Sequence, residues 1–258
     1  EYEPHVIRGN VIYSGVDYEK ILRAMEKDPS GCDVVIWDGG NNDFPFFKPD
    51  LNFVIVDPLR PGHELSYYPG EANLRLADVA VINKVDSARL EDINTVRMNI
   101  VKVNPTARIM DAASPIKVDN PDIIKGKRVL VVEDGPTLTH GDMKIGAGAV
   151  AAMRYGAAGM VDARPYAVGR IAETYKIYPE IGEVLPAMGY GEKQLKDLET
   201  TINNTECEGV VIATPMDLSR IINIKKPFTR VYYDLQEIGE PSIDTIIDDF
   251  CKEHKIGK

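Results

Sequence analysis

The sequence predicts an α/β protein built on parallel sheets. Short apolar runs rich in β-branched residues alternate with amphipathic stretches, which is typical of buried parallel strands joined by helical crossovers. The 258 residues are 44% hydrophobic and 27% charged, enough for one large α/β unit or two smaller ones. The polar stretch 119–122 and Lys125-Gly126-Lys127 interrupt the pattern. We therefore predict two domains, residues 1–125 and residues 126–258.

The order of the elements supports this division. In the first domain we predict helices over 18–25 and 90–101 and strands over 34–37, 53–56, 79–82 and 108–110. In the second domain we predict strands over 128–132, 159–161, 184–185, 209–213 and 230–233, with helical patterns between them. This alternation predicts that the second domain is doubly wound.

Charge and composition exclude several classes of protein. The 30 Lys and Arg residues face 40 Asp and Glu residues, a net charge of -10, which disfavours a nucleic-acid partner. No apolar run approaches the roughly 18 residues that a membrane span needs. The three cysteines are widely spaced and no export signal precedes the first helix. We expect a cytoplasmic protein with small-molecule ligands and no membrane partner, with a homodimer as one option for its assembly.

The strand predicted over 79–82 runs into Asn83-Lys84-Val85-Asp86, which is the most specific motif of the chain. Asn-Lys-x-Asp is the base-recognition element of P-loop GTPases. An Asp at this offset can accept hydrogen bonds from both the ring N–H and the exocyclic amine of guanine, while Asn and Lys support the loop. The motif predicts that Asn83, Lys84 and Asp86 bind a nucleotide base, and that the first domain is a parallel-sheet P-loop NTPase portion.

Upstream, the run 34–37 leads into Asp38-Gly39-Gly40. A carboxylate after a buried strand can hold a phosphate-bound Mg²⁺, and glycines let the backbone approach a phosphate. We therefore predict Asp38 as a metal ligand and Gly39 and Gly40 as nucleotide-binding residues. Ser114 follows the strand predicted over 108–110 and lies where a further nucleotide-binding loop is expected.

A phosphate loop of the form Gly-x-x-x-x-Gly-Lys-Ser/Thr does not occur in these 258 residues. The chain also begins with Glu1 and has no leading strand before its first predicted helix. We expect from this that the sequence is the later portion of a longer nucleotide-binding protein and is inactive alone.

Longer segments resemble a known family, the archaeal and bacterial predicted GTPases related to cyclic 2,3-diphosphoglycerate synthetase. The segments are Trp37-Asp38-Gly39-Gly40-Asn41-Asn42-Asp43-Phe44-Pro45-Phe46, Asp57-Pro58-Leu59-Arg60-Pro61-Gly62-His63-Glu64, Asn83-Lys84-Val85-Asp86 and Glu133-Asp134-Gly135-Pro136-Thr137-Leu138-Thr139-His140-Gly141. The resemblance spans essentially the whole chain, and family members carry an additional N-terminal region with the phosphate loop. It implies a ligase-type enzyme that uses ATP, with Mg²⁺, to close a phosphoanhydride within 2,3-bisphosphoglycerate. The Asn-Lys-x-Asp motif instead suits guanine, so both ATP and GTP stay open as the nucleotide.

The second domain also carries candidate chemistry at its predicted strand ends, which share one crevice in an open parallel sheet. We predict His140, Asp134 and Arg164 as catalytic residues, because His and Asp can exchange protons and Arg can stabilise a transferred phosphoryl group. Residues suited to the phosphates of a substrate are Lys144, Arg170, Arg220 and, in the first domain, His63.

Two other functions compete with this hypothesis. The chain can be a GTP-binding switch whose second domain recognises a protein partner. Gly146-Ala147-Gly148-Ala149-Val150-Ala151 also matches Gly-x-Gly-x-x-Ala, the fingerprint of dinucleotide-dependent oxidoreductases. That fingerprint requires its glycines in the turn directly after a strand, whereas the strand predicted over 128–132 ends well before Gly146. We expect these glycines to permit close helix packing instead.

Overall fold

The computed structural model describes residues 2–40, 43–135 and 146–256, which form two compact α/β units. The first unit comprises residues 2–115 together with the C-terminal segment from residue 234. The second unit comprises residues 116–233. The predicted α/β class with parallel sheets in two parts is confirmed. The domain boundary after residue 125 stays a prediction, while the compact units divide at 115/116 and at 233/234.

The first unit is built on a four-stranded sheet in the order β1-β2-β3-β10. Strands β1, β2 and β3 are parallel, and β10 joins β3 in the antiparallel direction. The strands are β1 (Phe53–Val56), β2 (Val79–Ile82), β3 (Arg108–Ala113) and β10 (Gln236–Ile238). The helices are α1 (Glu3–Ile7), α2 (Tyr18–Glu26), α3 (His63–Ser66), α4 (Gly70–Leu76), α5 (Leu90–Val103) and the C-terminal α9 (Ile243–His254).

Strand β2 lies at the centre of this unit and is buried along its whole length. Ala80 and Ile82 pack with Val96 and Ile100 of α5, whereas Val79 and Val81 belong to a separate cluster that includes Ile246 of α9. Because successive side chains of a strand point to opposite faces, an apolar run such as 79–82 covers a sheet with helices on both sides. Because β1, β2 and β3 are parallel, their carboxyl ends meet at one edge of the sheet.

The second unit contains a larger sheet in the order β4-β9-β8-β5-β6, with β7 paired to the carboxyl-terminal half of β5. All pairings are parallel except β4 with β9. The strands are β4 (Ile116–Val118), β5 (Arg128–Asp134), β6 (Gly159–Met160), β7 (Leu185–Ala187), β8 (Gly209–Ala213) and β9 (Phe228–Tyr233). The helices are α6 (Ala147–Arg154), α7 (Gly169–Ile177) and α8 (Glu192–Asn204), with short 3₁₀ turns at Pro121–Ile123, Arg164–Tyr166 and Leu218–Arg220.

One predicted strand is wrong. Residues 34–37 have no regular secondary structure, and Val34 and Ile36 are exposed by 48% and 81%. An apolar run becomes a buried strand only if a neighbouring strand satisfies its backbone groups and helices cover its faces. In the described part of the chain β1 pairs only with β2, so this run has no hydrogen-bonded neighbour. Among the residues that the structure covers, no helix is both long and apolar enough to cross a membrane.

Candidate functional site

The loops that follow β2 and β3 are joined by hydrogen bonds from the predicted motif. The side-chain oxygen of Asn83 accepts from the Ser114 hydroxyl at 2.9 Å and from the Lys84 amide at 2.8 Å. The Ser114 amide donates to Asp86 Oδ1 at 3.0 Å, and the Val85 amide donates to the Ala112 carbonyl at 3.1 Å. The structure therefore brings Asn83, Asp86 and Ser114 together, and their role in binding a nucleotide base stays a prediction.

Lys84 connects this loop to the end of β1. Its backbone is left-handed, with φ of 58°, and its ammonium lies 2.8 Å from Asp57 Oδ2. Arg60 contacts the same oxygen at 3.2 Å. Burial alone would raise the pKa of Asp57, but the hydrogen bond and charge of Lys84, with the Leu59 amide and Arg60, lower it below the ordinary value. Asp57 is therefore a negative charge that holds the Lys84 side chain at the end of β1.

Asp86 is exposed and retains the capacity to bind a ligand. Its Oδ1 accepts from the Ser114 amide, and its Oδ2 accepts from the Ser87 hydroxyl at 3.2 Å. Because each carboxylate oxygen has two lone pairs, both oxygens can still accept a further hydrogen bond. A pair of adjacent N–H donors, as on the edge of guanine, fits this arrangement.

The predicted metal ligand Asp38 and the predicted nucleotide-binding glycines Gly39 and Gly40 lie in an exposed segment outside the sheet. Asp38 is solvent-exposed, and the Gly40 amide donates to Asp43 Oδ2 at 3.3 Å. The Trp37 ring lies so close to Gly39 that a β-carbon there would stand 2.2 Å from it, so any other residue at this position would displace the ring. No three His, Cys, Asp or Glu side chains of the described chain form a metal cluster. Mg²⁺ is commonly held by one or two carboxylates plus substrate phosphates, and Asp38 as its ligand stays a prediction.

His63 begins α3, which follows the loop after β1. Its ring packs against Tyr67 with centroids 5.1 Å apart. The structure thus places His63 in the first unit, and its contact with a substrate phosphate stays a prediction.

In the described part of the second unit, Glu133 is a buried carboxylate near the carboxyl end of β5. Its side chain is 2% exposed, and Oε1 accepts from the amides of Gly146 and Ala149 at 3.2 and 2.9 Å. Burial raises the pKa of Glu133 to about 7, although those amides and that of Gly148 oppose the shift. The sequence predicts the neighbouring Asp134, and not Glu133, as a catalytic residue. The available signal was a charged residue inside an apolar strand followed by Gly-x-Gly.

The glycines of the dinucleotide-like fingerprint serve this contact. A β-carbon on Gly146 would lie 2.4 Å from a Glu133 oxygen, and one on Gly148 would lie 2.8 Å from Val131 and 2.9 Å from Ala213. The glycines therefore let α6 approach β5 closely, as the sequence predicted. The amino end of α6, where a dinucleotide phosphate would bind, faces the protein's own carboxylate.

The three predicted arginines of the second unit each have an acidic neighbour. Arg164 pairs with Asp162 at 3.0 Å, donates to the carbonyl of Ile181, and lies over the Tyr175 ring. Arg170 pairs with Glu173 at 3.5 Å, and Arg220 pairs with Asp217 at 3.2 Å. Their predicted roles stay predictions.

The remaining predicted residues of this unit are only partly covered. Asp134 ends β5 and is partly buried, next to Glu133. His140 and Lys144 lie outside the described residues.

The parallel sheet and the braced Asn-Lys-x-Asp loop are features of the α/β nucleotide-binding domains of the P-loop class. Residues 7–113 match the family model described as cyclic 2,3-diphosphoglycerate synthetase, P-loop domain, which confirms the resemblance read from the sequence. The chain is also 60% identical over 252 residues to "Arginine synthetase ArcE" of Thermococcus kodakarensis. That alignment covers 98% of this chain and 56% of the relative, so the chain spans about half of the relative's length.

Proposed function

We propose that this chain belongs to a nucleoside-triphosphate-dependent synthetase, in which the first unit recognises the nucleotide base and the second unit binds the substrate. The observation that carries the proposal is the loop of Asn83, Lys84 and Asp86, which is braced by Ser114 and Asp57 at the carboxyl edge of a parallel sheet. Open α/β sheets bind their ligands at this edge. The family match over residues 7–113 supports nucleotide use.

For the substrate, we propose arginine as the product rather than a cyclic diphosphate. The relative whose name is arginine synthetase is 60% identical to this chain over 252 aligned residues, which include both units, whereas the diphosphoglycerate family match ends at residue 113. The charges of the second unit agree with this choice. A bisphosphate needs a cluster of available cations, but the predicted arginines that the structure describes, Arg164, Arg170 and Arg220, each pair with a carboxylate.

A synthetase that makes arginine must form a carbon–nitrogen bond of the guanidinium group at the expense of the nucleotide. Its natural substrate is then the ureido amino acid in which oxygen replaces one guanidinium nitrogen, together with an amine or ammonia. Phosphorylation of the ureido oxygen by the nucleotide, assisted by Mg²⁺, would convert it into a leaving group.

The base-recognition step is tested by Asp86→Asn in the complete gene product, titrated calorimetrically with GTP, ATP and XTP in the presence of Mg²⁺. The NH₂ group of Asn cannot accept a hydrogen bond from the 2-amino group of guanine, but it can donate one to the 2-carbonyl of xanthine. If guanine is the base, GTP binding weakens about 10- to 100-fold and XTP binding improves. Asp78→Asn is the matched control, because Asp78 precedes the same strand at its other end, where it accepts from the Asn52 amide at 2.8 Å.

The titration separates the alternatives. Wild-type preference for ATP that Asp86→Asn leaves unchanged would assign Asp86 a structural role and make adenine the base. A gene product that binds no nucleoside triphosphate would contradict the synthetase proposal. Separate titrations with arginine and 2,3-bisphosphoglycerate identify the substrate class, and tighter binding of the bisphosphate would overturn the proposal of arginine.

A further inference from the structure

A buried carboxylate stands at the ligand-binding edge of the second unit. Glu133 precedes the last residue of β5, where parallel strands present their carboxyl ends, and its side chain is 2% exposed. It has no cationic partner among its described contacts. Its hydrogen bonds come from the amides of Gly146 and Ala149 at the start of α6.

Among the residues that the structure describes, the neighbourhood of Glu133 is otherwise almost free of charge. Strand β7 pairs beside it with Leu185, Pro186 and Ala187, and β8 pairs on the other side with Val210 to Ala213. Within the described part of β5, β7, β8 and α6, the other ionisable groups are Asp134, Arg128 at the start of β5, and Arg154 at the far end of α6. Asp134 adds negative charge and so favours the protonated form of Glu133, as burial does.

We propose that Glu133 accepts the proton that the nitrogen nucleophile releases in the synthetase reaction. This inference rests on the proposed function and adds a catalytic residue to it. A group that is held between its two protonation states near neutral pH suits proton transfer. The low exposure of Glu133 favours a small nucleophile such as ammonia, or transfer through one water.

The proposed step forms one carbon–nitrogen bond and breaks one carbon–oxygen bond. The nitrogen of ammonia forms a bond to the ureido carbon, whose oxygen carries the phosphoryl group received from the nucleotide. The carbon–oxygen bond then breaks, and inorganic phosphate leaves with the electron pair. One N–H proton passes to Glu133, and the product keeps a guanidinium group.

The alternative is that Glu133 serves only to hold α6 against β5. The two roles differ in the pH dependence of the reaction. A proton acceptor must be ionised, so kcat should rise with pH up to about 7 and then level off. A carboxylate that only supports the helix would leave no such limb.

The test compares Glu133→Gln with the wild-type complete gene product, measuring kcat for arginine formation from the ureido amino acid, ammonium and nucleotide between pH 5.5 and 9. Ammonium is adjusted at each pH so that free ammonia, whose share rises with pH, stays saturating. Gln has the same shape and an oxygen that can still accept the amides, but it cannot take up the proton. The matched control is Glu208→Gln, because Glu208 accepts the Arg128 amide at 2.8 Å at the opposite end of the same sheet. Nucleotide titration and thermal unfolding verify that each variant is folded.

We expect Glu133→Gln to lower kcat about 10²- to 10⁴-fold, to remove the acid limb and to leave nucleotide binding unchanged. Glu208→Gln should retain the wild-type profile. If the wild type makes arginine but its kcat shows no limb near pH 7, or Glu133→Gln keeps that limb, the role of Glu133 is refuted while the synthetase proposal stands. The wild-type profile decides this even if the variant does not fold. If the wild type binds nucleotide but forms no arginine, the proposed product and the role of Glu133 fall together.

Discussion

Glu133 also determines how the stability of the second unit responds to pH. Its pKa rises from 4.5 in the unfolded chain to about 7 in the folded protein, because the carboxylate is buried. Between these values the folded state binds more protons than the unfolded state, so the free energy of unfolding falls as pH increases.

We predict a loss of about 3 kcal/mol from this group between pH 4.5 and pH 7, with no further change above that range. Urea unfolding of wild type and Glu133→Gln at several pH values measures it, and the variant should lack this part of the slope. An identical slope in both proteins would show that Glu133 ionises in the folded state as it does in the unfolded chain.

At the residue scale, the close grouping of the motif residues after β2 could be predicted, whereas the buried environment of Glu133 could not. Asn83, Lys84 and Asp86 stand within four positions, so their geometry follows from one short segment at the end of a strand. The environment of Glu133 depends on Gly146 and Ala149, which approach only after α6 packs on β5. Long-range packing of this kind leaves no periodic signal in the sequence.

At the scale of elements, the packing of α6 on β5 depends on Gly148. A β-carbon at this position would lie 2.8 Å from Val131 and 2.9 Å from Ala213, both buried or nearly so in the sheet beneath the helix. We predict that Gly148→Ala destabilises the protein by about 1–2 kcal/mol, because overpacking outweighs the better helix propensity of Ala.

Gly159→Ala is the control for that substitution. No atom lies within 4 Å of a β-carbon placed on Gly159, which starts β6, so its free energy of unfolding should change by less than about 0.5 kcal/mol. Chemical denaturation of both variants measures the difference. Equal effects of the two substitutions would show that α6 can move away from β5 without cost.

Two apolar runs show why elements are only partly predictable. Residues 34–37 and 79–82 have similar sequences, yet only 79–82 becomes a strand. The difference is pairing, because β2 lies between β1 and β3 and is covered on both faces, whereas 34–37 has no partner strand in the described chain. Composition shows that a run can form a strand, and distant segments decide whether it does.

At the scale of the whole molecule, the chain leaves the first unit at residue 115 and returns to it at residue 234. The sequence pattern suggested two consecutive domains and did not show this return. The reason is that β10 pairs with β3 through only three residues, and α9 contributes Ile246 as its one buried side chain. Such a short pairing and a single anchor are too weak to be recognised in the sequence.

Ile246 therefore provides a test of this arrangement. It is 1% exposed and packs with Val79, Val81, Met110 and Ala112 of the first unit, whereas its neighbour Ile247 is 39% exposed. We predict that Ile246→Ala destabilises the first unit by about 2–5 kcal/mol, because it leaves a cavity beneath β2 and β3, and that Ile247→Ala costs less than about 1 kcal/mol. Hydrogen exchange followed by mass spectrometry locates the effect. In Ile246→Ala the amides of β2 should exchange faster while those of β5 keep their wild-type rates, since α9 belongs to the first unit and Ile246 packs in its core. Faster exchange in β5, or no change in β2, would contradict the assignment of the C-terminal helix to the nucleotide-binding unit.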